Sequence, residues 1–266
     1  MRRLQRRSVK PPPDWVADWA DKVDAAFADA AAFWKKAKAF EKLPEHGAKR
    51  KKGFVAYAPE VLPVDAKGKP GFPEVWGRDE VRQAIAGMSH GFCAYCESAV
   101  SSSHPGKRGE ERPPGQVEHF KPKSRFPAQA YALENYFLGC MGCNGAKHDK
   151  WPRGGYVRPD ERKPGSRFVF AESGEVKAHE GDEQAANTVE DFGLNRYWLA
   201  YHRKVTIAIH MRFVRMLIGR PGARLEALLL EGPAQFSEAI NQNVRRAWAK
   251  GQRKKKAAGA RPRSGR

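Results

Sequence analysis

All four cysteines of the chain fall in two Cys-x-x-Cys pairs, Cys93/Cys96 and Cys140/Cys143. Zinc takes four thiolates in a tetrahedron, and two such turns supply them. Four thiolates leave no open coordination position, so this metal is structural. The 43 residues between the pairs exceed what a bare zinc ribbon needs, and an insertion explains the excess. A metal that fixes both ends of that insertion contributes directly to folding.

The insertion carries Val117-Glu118-His119-Phe120-Lys121-Pro122-Lys123. Asn135 follows 16 residues after His119, and Asn144 comes 9 residues later, directly after the last cysteine. A carboxylate, an imidazole and two amides are the catalytic candidates. Without the cysteine frame they would read as ordinary surface polar residues. His148 is a further candidate ligand by position, and an exposed histidine by default.

The elements that must hold these groups follow. Glu118-His119 comes after Pro113-Pro114-Gly115 and reads as the end of a short strand. Neighbouring strand residues point to opposite faces, so Glu118 and His119 converge only if the strand bends or stops there. Pro122 limits regular pairing just beyond. Asn144 opens a short helix through Lys147. Upstream, Asp79 starts a helix with Val81, Ile85 and Met88. Residues 101–114 are polar and turn-rich. Arg167-Phe168-Val169-Phe170, Ser173-Gly174 and Glu175-Val176 spell a hairpin.

From Asp182 the pattern is helical. A long helix begins at Trp198 and Leu199, with Val205, Ile209 and Phe213 every four residues, and breaks at Gly219 and Pro221. Leu225 and Leu228–Leu230 read as a short apolar helix. Pro233 opens another, with Phe236, Ile240, Val244 and Trp248 on one stripe. These stripes are core or partner-facing surface. Near the N-terminus, Asp14 caps a helix running to about Leu43. Trp15, Trp19, Val23 and Phe27 share one of its faces. Asp14, Asp18, Asp21, Asp24 and Asp29 occupy its first half, and lysines its second. Pro44 and Gly47 end it, and 53–77 read as loops.

Net charge is +19 over 266 residues. The two termini hold twelve of those charges and no acid, leaving +7 for the body. Basic tails suit a polyanion and make its binding salt-sensitive. No apolar run reaches the roughly 18 residues of a membrane span, and the basic N-terminus precedes an acidic helix rather than a signal core. The chain reads as cytoplasmic and bacterial, a compartment that favours metal over disulfide at paired cysteines.

From Phe92 to Trp151 the pattern resembles the HNH, or ββα-metal, endonucleases in their zinc-bearing branch. The resemblance implies an α+β fold: a central ββα-metal HNH core with four-cysteine zinc knuckles, flanked by an N-terminal helix and a helical C-terminal region. The expected organisation is a basic disordered arm over 1–13 and an N-terminal helix with loops over 14–78. The zinc-stapled nuclease domain then covers 79–180, a helical region 181–250, and a basic disordered tail 251–266. It implies that Glu118 and Asn144 hold a divalent metal, that His119 activates water, and that Asn135 holds the imidazole and its loop. Glu118 stands where many members have Asp, and Asn144 where many have His. An oxygen-rich set favours magnesium or manganese over catalytic zinc. The reaction is phosphodiester hydrolysis, in which a neutral histidine takes the water's proton and one metal polarises the phosphate. Lys121, Lys123, Arg125 and Lys147 are the expected phosphate contacts.

A narrower resemblance, on Cys93-Ala94-Tyr95-Cys96-Glu97, Val117 to Lys123, the hairpin, and Thr188 to Asn195 followed by Arg203, is to the PtuB nucleases of Septu and retron-Septu anti-phage systems. It implies an effector that cuts nucleic acid, DNA first, under a partner ATPase of the PtuA type. In the retron branch a reverse transcriptase and its RNA–DNA product join it. The chain has no Gly-x-x-x-x-Gly-Lys-Ser/Thr loop, so that ATPase is another chain. Two alternatives stay open: a non-catalytic zinc-knuckle module that binds nucleic acid, and an HNH ribonuclease acting on transfer RNA.

Overall fold

The computed structural model describes residues 4, 76, 79–100, 115–123, 125–126, 129, 132–218, 220, 222–231 and 234–259. The N-terminal helix over 14–43, the loops over 44–75 and the turn-rich stretch 101–114 lie outside the described residues. Among those described, no helix is long and apolar enough to cross a membrane.

Helix α1 spans Asp79–Ser89. Val81, Ile85 and Met88 recur at helical spacing, and all three are buried. His90 and Gly91 then turn the chain through positive φ into the first cysteine pair. Strand β1, Gln116–His119, pairs antiparallel with β2, Tyr136–Gly139, with His119 opposite Tyr136 and Gln116 opposite Gly139. Helix α2, Met141–Lys147, follows directly. The ββα order expected from the motif is present as two short strands and a short helix, in a mixed α+β protein. Helix α1 covers one face of the hairpin and α2 lies on β1. Arg82 ties α1 to the start of β1 by donating to the Gly115 carbonyl at 2.7 Å.

The second hairpin pairs β3, Phe168–Phe170, with β4, Val176–Ala178. At its turn Gly174 has φ +86°, and a Cβ there would stand 2.0 Å from the Ala200 carbonyl oxygen. Only glycine fits such a left-handed, closely approached position. Helix α3, Glu183–Asp191, is capped by Asp182, whose carboxylate accepts from the Ala185 amide at 3.0 Å. The Arg167 guanidinium forks onto the same carboxylate, at 2.7 and 2.5 Å.

Helices α4, Tyr197–Leu217, and α5, Ser237–Gly259, pack against each other. Buried Arg203 crosses from α4 to donate to the carbonyls of Gly174 and Leu194, at 2.5 and 3.0 Å. The Phe236, Ile240 and Val244 stripe is core. The Val205, Ile209 and Phe213 stripe is exposed. Between the helices, the apolar Leu225–Leu230 stretch forms a 3-10 turn over Glu226–Leu228 rather than an α-helix.

Two tail expectations are corrected. Leu4, inside the expected disordered arm, is buried, and its amide donates to the Pro159 carbonyl at 2.9 Å. Helix α5 continues through 251–259, where a disordered tail was expected. Gln, Arg, Lys and Ala are all good helix formers, and they extend a helix already nucleated by its packed first half. Residues 260–266 lie outside the described residues.

Candidate metal centre and hydrolytic site

The cysteines converge. Cys93 and Cys96 sit on a tight turn, held by Cys93 N–H to the Ser98 carbonyl at 2.9 Å. That turn is tied to the hairpin by Ala94 N–H to the Leu138 carbonyl at 2.8 Å. Cys140 is the N-cap of α2 and Cys143 lies on its first turn. The four sulfurs all lie within 4.8 Å of one another, and Cys96 and Cys140 are 3.8 Å apart. Zn–S bonds of about 2.3 Å give a tetrahedral edge of about 3.8 Å, so the cluster is sized for one zinc ion. None of the four is in a disulfide. Burial pushes the Cys93 thiol up, while hydrogen bonds from Cys143, Cys93 and Cys96 hold Cys140 far below its ordinary value. A zinc ion taken up by such a set would displace the thiol protons.

Arg196 stands behind the sulfurs. Its guanidinium lies 3.5 Å from the Cys140 and Cys143 sulfurs and also donates to the Phe192 and Gly193 carbonyls. Burial works against its charge, yet the cysteine sulfurs outweigh burial and raise its pKa above the ordinary value. Gly142 makes this approach possible, since a Cβ there would meet the guanidinium at 2.7 Å. The motif gave no sign of Arg196, which lies 53 residues from Cys143 in sequence.

The strand pairing sorts the other candidates by face. Gln116, Glu118, Phe137 and Gly139 share one face; Val117, His119, Tyr136 and Leu138 share the other. Gly139 opens room on the first face, where a Cβ would lie 3.2 Å from the Glu118 Cβ and 3.5 Å from the Asn144 Cβ. Glu118 and Asn144 are therefore brought together beneath α2. Asn144 donates from Nδ2 to Gln116 Oε1 at 2.7 Å, which adds Gln116 to the group. Gln116 sits two residues before Glu118, and strand alternation was the signal that could have found it.

Lys147, one turn after Asn144, reaches the same place. Its ammonium donates to the Glu118 carboxylate and, at 2.6 Å, to the His119 carbonyl. Both side chains are almost fully buried, at 1% and 2% exposure. Burial pushes the Glu118 carboxyl up to about 7, against the opposing pull of Lys147. Burial likewise lowers the Lys147 pKa, against the pull of Glu118. The expectation that Lys147 meets phosphate is thus corrected: it is sealed inside as the partner of Glu118.

His119 ends β1 on the opposite face. Its ring meets Trp76 edge-on at 4.8 Å and Tyr136 at 4.9 Å. The structure does not bring the imidazole onto the Glu118–Asn144 face of the hairpin. Asn135 holds the chain just beyond that end. Its Oδ1 accepts from the Lys121 amide at 2.7 Å, and its Nδ2 donates to the carbonyls of Lys121 and Gln129 at 3.0 and 2.9 Å. Lys121, Lys123 and Arg125 lie on this stretch. Lys121 reaches over the Phe126 ring, Lys123 lies 4.1 Å from the Trp76 ring centre, and Arg125 donates to the Trp151 carbonyl. His148 points away, exposed and bonded to Asp149 at 2.9 Å.

An aromatic stack supports the platform. Phe120, Phe137, Trp151, Tyr156 and Phe192 meet edge to face at 5.1 to 5.8 Å. Tyr95, between the first two cysteines, stacks on Phe192 at 3.9 Å. The Cys93–Cys96 turn and the hairpin thereby share one core.

No protein-family model matches the chain. The chain is similar to the Septu protein PtuB of Bacillus thuringiensis, with 27% identity over 176 residues. The match covers 64% of this chain and 58% of that protein, so it spans less than two thirds of the relative's length. This level of identity supports a Septu-like relationship.

Proposed function

We propose that this chain is a metal-dependent HNH endonuclease and the nucleic-acid-cutting effector of a Septu-like anti-phage pair. The observation that carries the reading is the convergence of Glu118, Asn144 and Gln116 over Gly139, on a ββα unit closed by four sulfurs. Carboxylate and amide oxygens are the donors that hard cations take. A magnesium or manganese ion held by Glu118 and Asn144 would polarise the phosphate and stabilise the departing oxygen.

The protein's own groups supply the rest. His119 takes the proton of the attacking water, whose oxygen bonds to phosphorus as the ester P–O bond breaks. The scissile phosphate lies at the end of β1, where both faces of the hairpin can be reached. Asn135 fixes the backbone there. Lys121, Lys123 and Arg125 meet neighbouring phosphates. Gln116 orients the Asn144 amide. The substrate is DNA, and control comes from a separate ATPase of the PtuA type. A neighbouring ATPase reading frame would support that pairing, and a reverse transcriptase beside it would point to the retron branch.

A second reading is a zinc-knuckle module that binds nucleic acid without cutting it. The buried Glu118–Lys147 pair and the separate face of His119 favour it. Plasmid nicking separates the two. With the partner ATPase present, the nuclease cuts when magnesium or manganese is added and stops when chelator is added. Binding without cleavage in the same mixture would sink the nuclease reading.

A further inference from the structure

Helix α5 sorts its residues by side. Ile240 and Val244 are buried, and Ala247 and Trp248 pack against the same core. Arg245, Arg246, Lys250 and Arg253 are exposed. Arg246, Lys250 and Arg253 stand four and then three residues apart, which puts them on one face, and Arg245 flanks them. At 1.5 Å per residue the row runs for about 12 Å of helix axis. No carboxylate among the described residues pairs with any of the four. Glu238 is the last acid in the sequence, and Lys254, Lys255 and Lys256 follow Arg253.

The row borders a hollow. A cavity of about 670 Å³ opens between β3, α4 and α5, with Arg215, Arg246 and Lys250 in its lining. The acid in that lining, Glu172, is already held by Arg215 at 2.8 Å. Arg246 is fixed in place. Its Nη2 donates to the Phe170 carbonyl and to Asn243 Oδ1, which leaves Nε and Nη1 for a ligand. The chain leaving α4 closes the hollow at Gly251, where a Cβ would meet Ile218 at 2.7 Å.

The chemistry of the ligand follows. An unpaired row of cations fits a chain of phosphates better than one small anion. An anionic membrane fits poorly, because an interfacial helix inserts an apolar side and that side of α5 is in the core. We infer that Arg245, Arg246, Lys250 and Arg253 hold the backbone of a nucleic acid, on a different element from Lys121, Lys123 and Arg125. The inference rests on the nucleic-acid substrate of the proposed function.

The test measures binding of a fluorescein-labelled DNA duplex of random sequence to the full chain over a potassium chloride series. No divalent metal is added, so nothing is cut. The parent is compared with a variant in which Arg245, Lys250 and Arg253 are all changed to Gln. Arg246 is left alone because its bonds to Phe170 and Asn243 hold the fold. A control changes Arg153, Arg162 and Lys163 to Gln, removing the same charge from exposed positions elsewhere. The α5 variant should keep the parent's melting temperature, bind about tenfold or more weakly, and show a salt slope shallower by about three units. The control should stay close to the parent. Equal losses in the two variants would reduce the effect to net charge and overturn the inference. So would an unchanged slope in the α5 variant, or no duplex binding by the parent. A parent that binds through α5 but does not cut when manganese and the partner ATPase are supplied would leave this surface standing and sink only the nuclease reading.

Discussion

Asn135 grips Lys121 by both ends of its backbone, accepting from the amide at 2.7 Å and donating to the carbonyl at 3.0 Å. Asn135 is itself buried, at 2% exposure. One side chain thus fixes the chain two residues beyond His119. Asn135→Ala removes the grip and leaves partly buried backbone groups unpaired, at a cost of about 1–3 kcal/mol. The expected outcome is faster amide exchange at Lys121 and at least a tenfold loss of cleavage, with zinc content unchanged. Unchanged exchange at Lys121 would contradict the positioning role.

Lys147 gives the sharpest contrast between a surface and a buried cation. Lys147→Met removes the cation that holds the buried Glu118 carboxyl down, so Glu118 takes up a proton near neutral pH and the broken pair costs about 1–3 kcal/mol. The double change with Glu118→Gln should recover part of that loss. Thermal unfolding of the two variants checks this. A phosphate contact would instead leave stability intact and weaken only nucleic-acid binding.

The sulfur cluster and Arg196 make a separable pair of predictions. Cys140→Ser removes one of the four sulfurs that would hold zinc and should cost folding outright. Arg196→Ala keeps all four ligands but strips a cation from beside the Cys140 and Cys143 sulfurs. Outer partners of metal ligands typically carry ten- to hundredfold in affinity. Zinc transfer to a colorimetric chelator should therefore speed up about tenfold or more in Arg196→Ala, with the fold retained. Equal transfer rates would reject the role of Arg196.

Acid stability has a defined sign at Asp182. The Arg167 guanidinium, then the Ala185 amide, hold its carboxyl below the ordinary range. A carboxyl depressed in the folded state stabilises above its unfolded pKa, near 3.9, and loses that contribution as pH falls through the folded value. Asp182→Asn keeps a good cap and deletes the ion pair. Melting temperatures should show the parent ahead above about pH 4 and the gap closing below it. A gap that persists or widens in acid would contradict the assignment.

Local punctuation made the short elements legible: Pro113-Pro114-Gly115 and Pro122 bracket β1, and Ser173-Gly174 marks the second turn. What four-residue repeats could not say is what covers them. Val205, Ile209 and Phe213 have the same period as Phe236, Ile240 and Val244, yet the first set faces solvent and the second is core. Lys147 read as a phosphate contact because its partner is 29 residues away across the hairpin. Arg196 was invisible for the same reason. Alternation in β1 warned that Glu118 and His119 would part, and they do. The convergence of Glu118 with Asn144 depended on Gly139, whose missing side chain leaves space that no motif records.

The central claim rests on the imidazole at the end of β1. Cleavage of plasmid DNA by His119→Ala, measured with manganese and the partner ATPase beside the parent protein, tests it most directly. The account predicts loss of cleavage by 10²-fold or more, as expected for a missing general base. It also predicts one zinc per chain and a cooperative melt, lowered only by the lost ring contacts with Trp76 and Tyr136. A variant that cuts at the parent's rate with its zinc in place would contradict the account.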